Sequence, residues 1–206
     1  MKKILTIIIG LVILGAVVFG AMKYGKKAGV VSDMATTTSG VMEDGSSTDE
    51  ATEPIPEVVP GVVEKVNATT NTFTHKGYGF TLNYPSGMTT SNFREGSGEQ
   101  IVFQNTKNGD WFQVYVTPWD ETGDITATRI KQDLPDLLIS SPQKAIIGPQ
   151  QKQGIGPHAL IFLSNEKGLG DTREVWFVAN GNLYQVTTYK RLDAMLGQVL
   201  STLTFK

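Results

Sequence analysis

The most constraining feature of the sequence is a run of 19 residues, positions 4–22, without a charged side chain. Fifteen of these residues are apolar, and Met1, Lys2 and Lys3 precede them. At ~1.5 Å per residue, a helix of this length spans roughly 28 Å, close to the ~30 Å hydrocarbon core of a bilayer. We therefore predict one transmembrane helix, residues 4–22, within an N-terminal anchor, residues 1–27. The alternative is a cleaved signal peptide, whose apolar region is usually ~7–15 residues.

Basic residues flank the apolar run on both sides. Lys2 and Lys3 precede it, and Lys23, Lys26 and Lys27 follow it. Because the positive-inside rule compares such flanks, it barely separates the two orientations. The short basic N-terminus and the acidic segment that follows favour a single-pass protein of the cell membrane, with its C-terminal domain outside the cytoplasm. A domain held at the inner membrane surface is the alternative.

Residues 28–71 have the composition of a disordered linker. They contain eight acidic residues, one lysine, eleven Ser or Thr, three Pro and no aromatic residue. Such a segment buries too little apolar surface to offset the entropy lost on ordering. We predict an acidic stalk that separates the membrane from the folded domain, with the short segment 62–71 weakly ordered at most.

Residues 72–206 carry all three Trp, five of the six Tyr and eight of the nine Phe, which predicts one globular domain. Its twelve basic and twelve acidic residues cancel. Duplex binding requires many Lys and Arg, so a neutral domain argues against a nucleic-acid partner. The chain has no cysteine, which excludes disulfides, cysteine nucleophiles and thiolate metal sites.

Short alternating segments between turn residues predict strands in this domain. Asn108-Gly109-Asp110 predicts a hairpin, since Asn and Gly accept positive φ, and Asn180-Gly181-Asn182 predicts a second one. Because strands and helices do not alternate, we predict an α+β fold, a mainly antiparallel sheet with helices packed on it. The predicted strands include Gln100–Asn105, Trp111–Thr117, Lys144–Gln153, Ala159–Leu163, Glu174–Val178 and Leu183–Tyr189.

Two helices are predicted. The first follows Asp124, which is a suitable cap, and it ends or kinks at Pro135, whose ring clashes with the preceding turn. The second spans Arg191–Thr202, where apolar residues keep helical spacing. Leu203 and Phe205 then predict a closing strand.

The two ends of the domain carry a family resemblance. The opening GYGFTLNYPSGM and the closing strand NLYQVTTY with the helix end QVLSTLTF resemble the PsbP-like domain, which is the fold of the extrinsic photosystem II protein and its bacterial relatives. The resemblance covers about residues 73–206. It implies an α/β/α-like sandwich that serves as a binding or assembly module outside the membrane. Met88, where relatives often have Trp, departs from the pattern, as do the anchor and stalk.

Side chains suited to catalysis or metal binding are sparse. His75 and His158 lack the spacing of zinc ligands, and the sequence has no Gly-x-Ser-x-Gly motif. Oxygen ligands surround the turn near Gly168, but their spacing fits no EF-hand loop, which favours a solvated turn over a Ca²⁺ site. These ligands are Asn165, Glu166, Asp171 and Glu174. We expect no catalytic residue, no bound metal and no cofactor.

Trp111, Tyr115 and Trp119 are the candidate partner-binding residues. Alternation along the strand places them on one face, with Phe112 and Val114 on the other. The aromatic face is either core under a helix or a binding strip, and packing is favoured because a sheet covered on both sides needs such residues. We expect Trp111 in the core. Because Pro118 removes a ladder donor, we expect Trp119 at an exposed edge.

These features predict a membrane-anchored extracytoplasmic binding or assembly module without catalytic activity. Its expected partners are the membrane, through residues 4–22, and another envelope protein or cell-surface component. Two alternatives remain, a small envelope hydrolase with an unrecognised active site and a purely structural surface protein.

Overall fold

The computed structural model describes residues 61–166 and 168–206. The predicted anchor, 1–27, and most of the predicted linker lie outside these residues, and no helix among those described is long and apolar enough to cross a membrane. The strands are β1 Val62–Lys65, β2 Thr70–His75, β3 Phe80–Pro85, β4 Thr89–Glu95, β5 Gly98–Gln104, β6 Trp111–Pro118, β7 Ser140–Ile146, β8 His158–Glu166, β9 Gly170–Ala179, β10 Asn182–Tyr189 and β11 Thr204–Phe205. The helices are α1 Ala127–Asp133 and α2 Asp193–Leu200, with 3₁₀ turns at Gln151–Gln153 and Lys190–Leu192.

The strands form two antiparallel sheets. The smaller has the order β1-β2-β3-β11, and the larger has the order β4-β5-β6-β10-β9-β8-β7. The antiparallel α+β prediction is therefore confirmed, whereas the expectation of a single sheet is wrong. Alternation along a strand shows which side chains share a face, but it does not show which sheet the strand joins.

Regular structure begins earlier than the sequence predicted. β1 pairs with β2 from Val62 to Lys65, within the segment assigned to the linker, and Thr72 lies inside β2. All four side chains of β1 are exposed. The strand is therefore held by main-chain pairing with β2, which an argument from buried apolar residues does not detect.

The main hydrophobic core lies on one face of the larger sheet. Phe73 and Phe80 of the smaller sheet, Phe103 and Phe112 of the larger sheet, and Leu196 of α2 are all buried in it. The rings of Phe103 and Phe112 stack with their centroids 4.3 Å apart. One face of the larger sheet is thus covered by the smaller sheet together with α2.

A second cluster covers part of the opposite face. Ile130 of α1 packs there with Ile125, Phe162 and Trp176. The cap of α1 is Thr126, whose Oγ1 accepts a hydrogen bond from the Arg129 N–H at 3.1 Å, and not the predicted Asp124. The helix ends before Pro135, as predicted.

The turn residues predicted the hairpins correctly, whereas the predicted bounds of β7 are wrong. β9 pairs with β10 across Asn180 and Gly181, which adopt φ of 49° and 71°. β7 spans Ser140–Ile146 in place of Lys144–Gln153. Pro142 and an irregular register between Ser140 and Gln143 interrupt its pairing with β8, so its period-2 signal is weak.

Candidate functional site

The three aromatic residues predicted to bind a partner do not form an open strip. Trp111, Tyr115 and Trp119 are buried, with exposed fractions of 8%, 1% and 8%. Burial of Trp111 is confirmed, and the expected exposure of Trp119 is wrong. Their role towards a partner stays a prediction that the geometry leaves untested.

Trp119 is covered by the segment that contains α1. The Arg129 guanidinium lies 5.3 Å from the centre of its ring, and Arg129 also forms ion pairs with Glu121 and Asp133. The backbone N–H of Trp119 donates to the Gly181 carbonyl at 2.9 Å. The strand end after Pro118 is therefore folded under this segment, which a local argument from Pro118 does not predict.

A small cavity lies on the same face of the larger sheet, under the chain that follows α1. Its volume is about 20 Å³, and Leu134 and Leu137 form one wall. The strand side chains that give it polar character are Gln113, Glu166, Glu174, Gln185 and Thr187. A cavity of this size holds about one water molecule, far less than the several hundred Å³ of a typical organic ligand site.

Glu174 is the most unusual residue of the cavity. It is 4% exposed, and its Oε2 accepts hydrogen bonds from Thr187 Oγ1 at 2.7 Å and from Trp176 Nε1 at 3.3 Å. Its Oε1 is buried, and the Thr172 side chain is a further hydrogen-bonding neighbour of the carboxyl. Burial raises the pKa of Glu174 to about 7, against the opposing effect of the Thr187 hydrogen bond.

The neighbouring groups are also polar and closely packed. Burial raises the pKa of Glu166, and the Glu166 charge adds to the rise at Glu174. Gln113 Oε1 accepts from Gln100 Nε2 at 2.7 Å. This arrangement can exchange a proton or contact one small ion or water molecule, whereas an organic substrate does not fit.

The four oxygen ligands noted in the sequence do not meet at one turn. Asn165 and Asp171 are exposed and hydrogen-bond to each other at 3.1 Å, while Glu166 and Glu174 line the cavity. The interpretation as a solvated turn is therefore wrong for Glu174. The sequence does contain an indication that Glu174 is buried. Alternation along the strand places Thr172, Glu174 and Trp176 on one face, so Glu174 lies beside a large aromatic residue on a covered face.

The two histidines lie apart from the cavity residues. His75 is buried beside Glu99, and His158 is exposed and pairs with Asp124 at 3.0 Å. Within residues 61–166 and 168–206, no group of three or more His, Cys, Asp or Glu side chains is placed to hold a metal ion.

The described residues thus define an α+β domain of two antiparallel sheets with short helices. The solution structure of cyanobacterial PsbP (CyanoP) from Synechocystis sp. PCC 6803 is similar, with a TM-score of 0.50, 12% sequence identity, and coverage of 68% of this chain and 94% of that chain. At this identity the likeness shows the fold alone, and the domain has a PsbP-like fold. Neither a protein-family model nor a curated protein matches the sequence.

Proposed function

We propose that this chain is a membrane-anchored extracytoplasmic module that binds or assembles with another envelope protein or cell-surface component, without catalytic activity. The observation that carries the proposal is the PsbP-like fold of residues 61–166 and 168–206, on a chain whose residues 4–22 are apolar enough for a transmembrane anchor. The resemblance in sequence implies the same use, a module that acts through its surface.

The exposed surface offers defined places for such a partner. β4 is a seven-residue edge strand that pairs in continuous register with β5, and Phe93 on it is 36% exposed. Edge strands with free main-chain groups are common recognition surfaces. β7, the other edge of the larger sheet, is interrupted at Pro142 and carries Lys144, features that disfavour added strands.

The test is site-specific photo-crosslinking in intact cells with the full chain. A photoreactive residue replaces Phe93 on β4, Val63 on β1 or Leu138 after α1, and buried Phe112 serves as the matched control. We expect one discrete adduct with an envelope protein, from one of the exposed positions and not from Phe112. Equal, diffuse labelling at all positions would count against a specific partner.

Topology is tested separately from the partner. Protease added to intact cells or spheroplasts should remove the domain if it lies outside the cytoplasm. Protection until the membrane is lysed would place the domain inside and overturn the extracytoplasmic part of the proposal.

A further inference from the structure

The sequence contains two Asn-Gly pairs, and the fold places each of them in a turn between two paired strands. Asn108-Gly109 joins β5 to β6, and Asn180-Gly181 joins β9 to β10. Both asparagines are exposed. Because glycine has no Cβ, its main-chain nitrogen is open to approach from the preceding asparagine side chain. The two pairs are identical in sequence, so a difference in their reactivity reports on their surroundings.

An Asn-Gly pair can lose ammonia through an attack by its own main chain. The glycine nitrogen gives its proton to a base in the solvent and forms a bond to Cγ of the asparagine. The bond between Cγ and Nδ2 then breaks, and ammonia leaves with a proton returned by the solvent, which closes a succinimide ring. Water opens this ring at either carbonyl and produces aspartate or isoaspartate. The net reaction consumes water, releases ammonia and requires no oxidant or reductant.

The groups that would react at Asn108 are held by hydrogen bonds. Oδ1 of Asn108 accepts from the Asp110 N–H at 3.0 Å, and Nδ2 donates to Asp110 Oδ2 at 2.8 Å. The attacking nitrogen is also held, because the Gly109 N–H donates to the Asn105 carbonyl at 2.9 Å. Asp110 itself forms an ion pair with Arg191. The ring can close at this turn only after these hydrogen bonds break.

The corresponding groups at Asn180 are not held in this way. Among the hydrogen bonds described for residues 61–166 and 168–206, none uses the Asn180 side chain, and none has the Gly181 N–H as its donor. The contacts of this turn use main-chain carbonyls instead. Asn182 Nδ2 donates to the Asn180 carbonyl, and the Trp119 backbone N–H donates to the Gly181 carbonyl, each at 2.9 Å. The attacking nitrogen and the amide that it attacks both face solvent.

We propose that Asn180 is a site of spontaneous deamidation in the folded protein, and that the fold protects Asn108 from the same reaction. A hydrogen bond that must break first slows a reaction by a factor of about five. Because Asn108 and Gly109 together make three such bonds, Asn180 should react at least about tenfold faster. This inference is independent of the partner proposed above, since it concerns only the chemistry of the turn.

The two products should affect the turn differently. Aspartate at position 180 adds a negative charge and keeps the main chain at its original length. Isoaspartate carries the main chain through its side-chain carbon atoms, which lengthens the chain before Gly181 by one atom. This change displaces the Gly181 carbonyl from the Trp119 backbone N–H. Isoaspartate should therefore loosen the strand end that holds Trp119 under the α1 segment.

The first test follows the purified full chain during storage at pH 8. Samples are digested with pepsin, since acid stops the reaction, and mass spectrometry with electron-transfer fragmentation distinguishes aspartate from isoaspartate at each position. We expect deamidation at Asn180 to be at least about tenfold faster than at Asn108. The same chain in denaturant is the matched control. There the two asparagines should react at similar rates, because the hydrogen bonds at Asn108 are absent.

The second test removes the protection of Asn108. Asp110→Ala deletes the acceptor of Asn108 Nδ2 and the ion pair with Arg191, so Asn108 should react at least about threefold faster. The rate at Asn180 should not change. Asp136→Ala, which removes an exposed carboxylate outside both turns, should change neither rate.

The third test measures amide hydrogen exchange at Trp119. Exchange should be faster in the isoaspartate fraction, separated by ion-exchange chromatography, than in the fresh protein. Asn180→Asp adds the charge without the extra main-chain atom, so it should leave this exchange unchanged. Equal exchange in the isoaspartate fraction and the fresh protein would show that the turn accommodates the longer chain, contrary to the expected loosening.

Two results would overturn the proposed site. Deamidation at Asn108 that equals or exceeds the rate at Asn180 in the folded protein would show that the described hydrogen bonds give no protection. A rate at Asn180 that is more than about tenfold lower in the folded protein than in denaturant would show that the β9–β10 turn itself prevents ring closure.

Discussion

The imidazole Nε2 of His75 lies 3.0 Å from Oε1 of Glu99, and this contact joins β2 of the smaller sheet to β5 of the larger sheet. Both side chains are buried. The Tyr78 N–H donates to Nδ1 of His75 at 3.2 Å, so the ring proton lies on Nε2 and is donated to Glu99. Asn92 Nδ2 donates to the same Glu99 oxygen at 2.9 Å.

The His75–Glu99 contact should show coupling in a double-mutant cycle. His75→Phe leaves the buried Glu99 carboxylate with one fewer donor, so we expect a loss of about 2–3 kcal/mol in the free energy of unfolding. Glu99→Leu should cost a similar amount, and the double variant should cost less than their sum by at least about 1 kcal/mol. Urea denaturation of the four proteins measures these energies. Strict additivity would show that the contact contributes nothing across the sheets.

Stability should fall with rising pH because of Glu174. Its pKa is about 7 in the folded protein, against 4.5 for an unperturbed glutamate. Between these values the folded state retains a proton that the unfolded chain releases. The free energy of unfolding therefore decreases as pH rises through this window, by up to about 1.4 kcal/mol per pH unit, and levels off above it.

Urea denaturation across this pH range, with a chelator present, measures the slope. Glu174→Gln should flatten it relative to the wild type, and Glu64→Gln should retain the wild-type slope. Parallel profiles for the wild type and Glu174→Gln would show that Glu174 does not titrate in this window.

Trp119 should behave as a core residue. Because its ring is 8% exposed and lies under Arg129, Trp119→Ala should lower the free energy of unfolding by about 3–5 kcal/mol. Leu138, which is 50% exposed, serves as the control, and Leu138→Ala should change it by less than about 0.5 kcal/mol. A small effect at Trp119 would restore the exposed edge expected from Pro118.

Two glycines should respond to alanine in opposite directions. A Cβ atom at Gly98 would lie 2.3 Å from the Tyr115 hydroxyl oxygen, so Gly98→Ala should destabilise the domain by about 1–3 kcal/mol. Gly197 is exposed on α2, and its added Cβ would meet nothing within 4 Å. Gly197→Ala should stabilise the domain by about 0.5–1 kcal/mol. Thermal unfolding of both variants measures whether each substitution raises or lowers the stability. A stabilised Gly98→Ala variant would contradict the described packing of Tyr115.

The N-terminal limit of the folded domain is testable by truncation. A chain that begins at Gly61 keeps β1 and the start of β2, whereas a chain that begins at Thr72 lacks β1 and exposes the edge of β2. We expect the shorter chain to unfold at a lower temperature and to be cut faster by protease. Equal resistance of the two chains would return the boundary to Thr72.

Local signals predicted much of the fold. The hairpin at Gly181 requires positive φ, which Gly supplies, and α2 follows from helical spacing that ends in Leu200. The division into two sheets was not predictable in this way, because it depends on which strands pair over long sequence separations. The resemblance to the PsbP-like domain predicted the class of fold, but it did not predict the second sheet.

The candidate site was harder to predict than the fold. Trp119 and Glu174 are buried because the chain around α1 packs over them. Neither residue belongs to α1, so this covering contact is tertiary and leaves no local pattern in the sequence. An aromatic residue after a proline and an acidic residue near a turn are both typical of exposed positions. Only the tertiary position of the covering segment reverses those expectations.

The smaller sheet joins residues that are far apart in the order of synthesis. β3 ends at Pro85, its neighbour β11 is Thr204–Phe205, and Thr202 Oγ1 accepts a hydrogen bond from the Asn83 N–H at 2.8 Å. While the chain is being translated, β3 has no partner on that side until residue 205 has left the ribosome. Such non-local pairing slows folding and leaves an open strand edge in the nascent chain. Pairing of β11 with β3 is therefore a late event, whereas β1, β2 and β3 can pair as soon as they have left the ribosome.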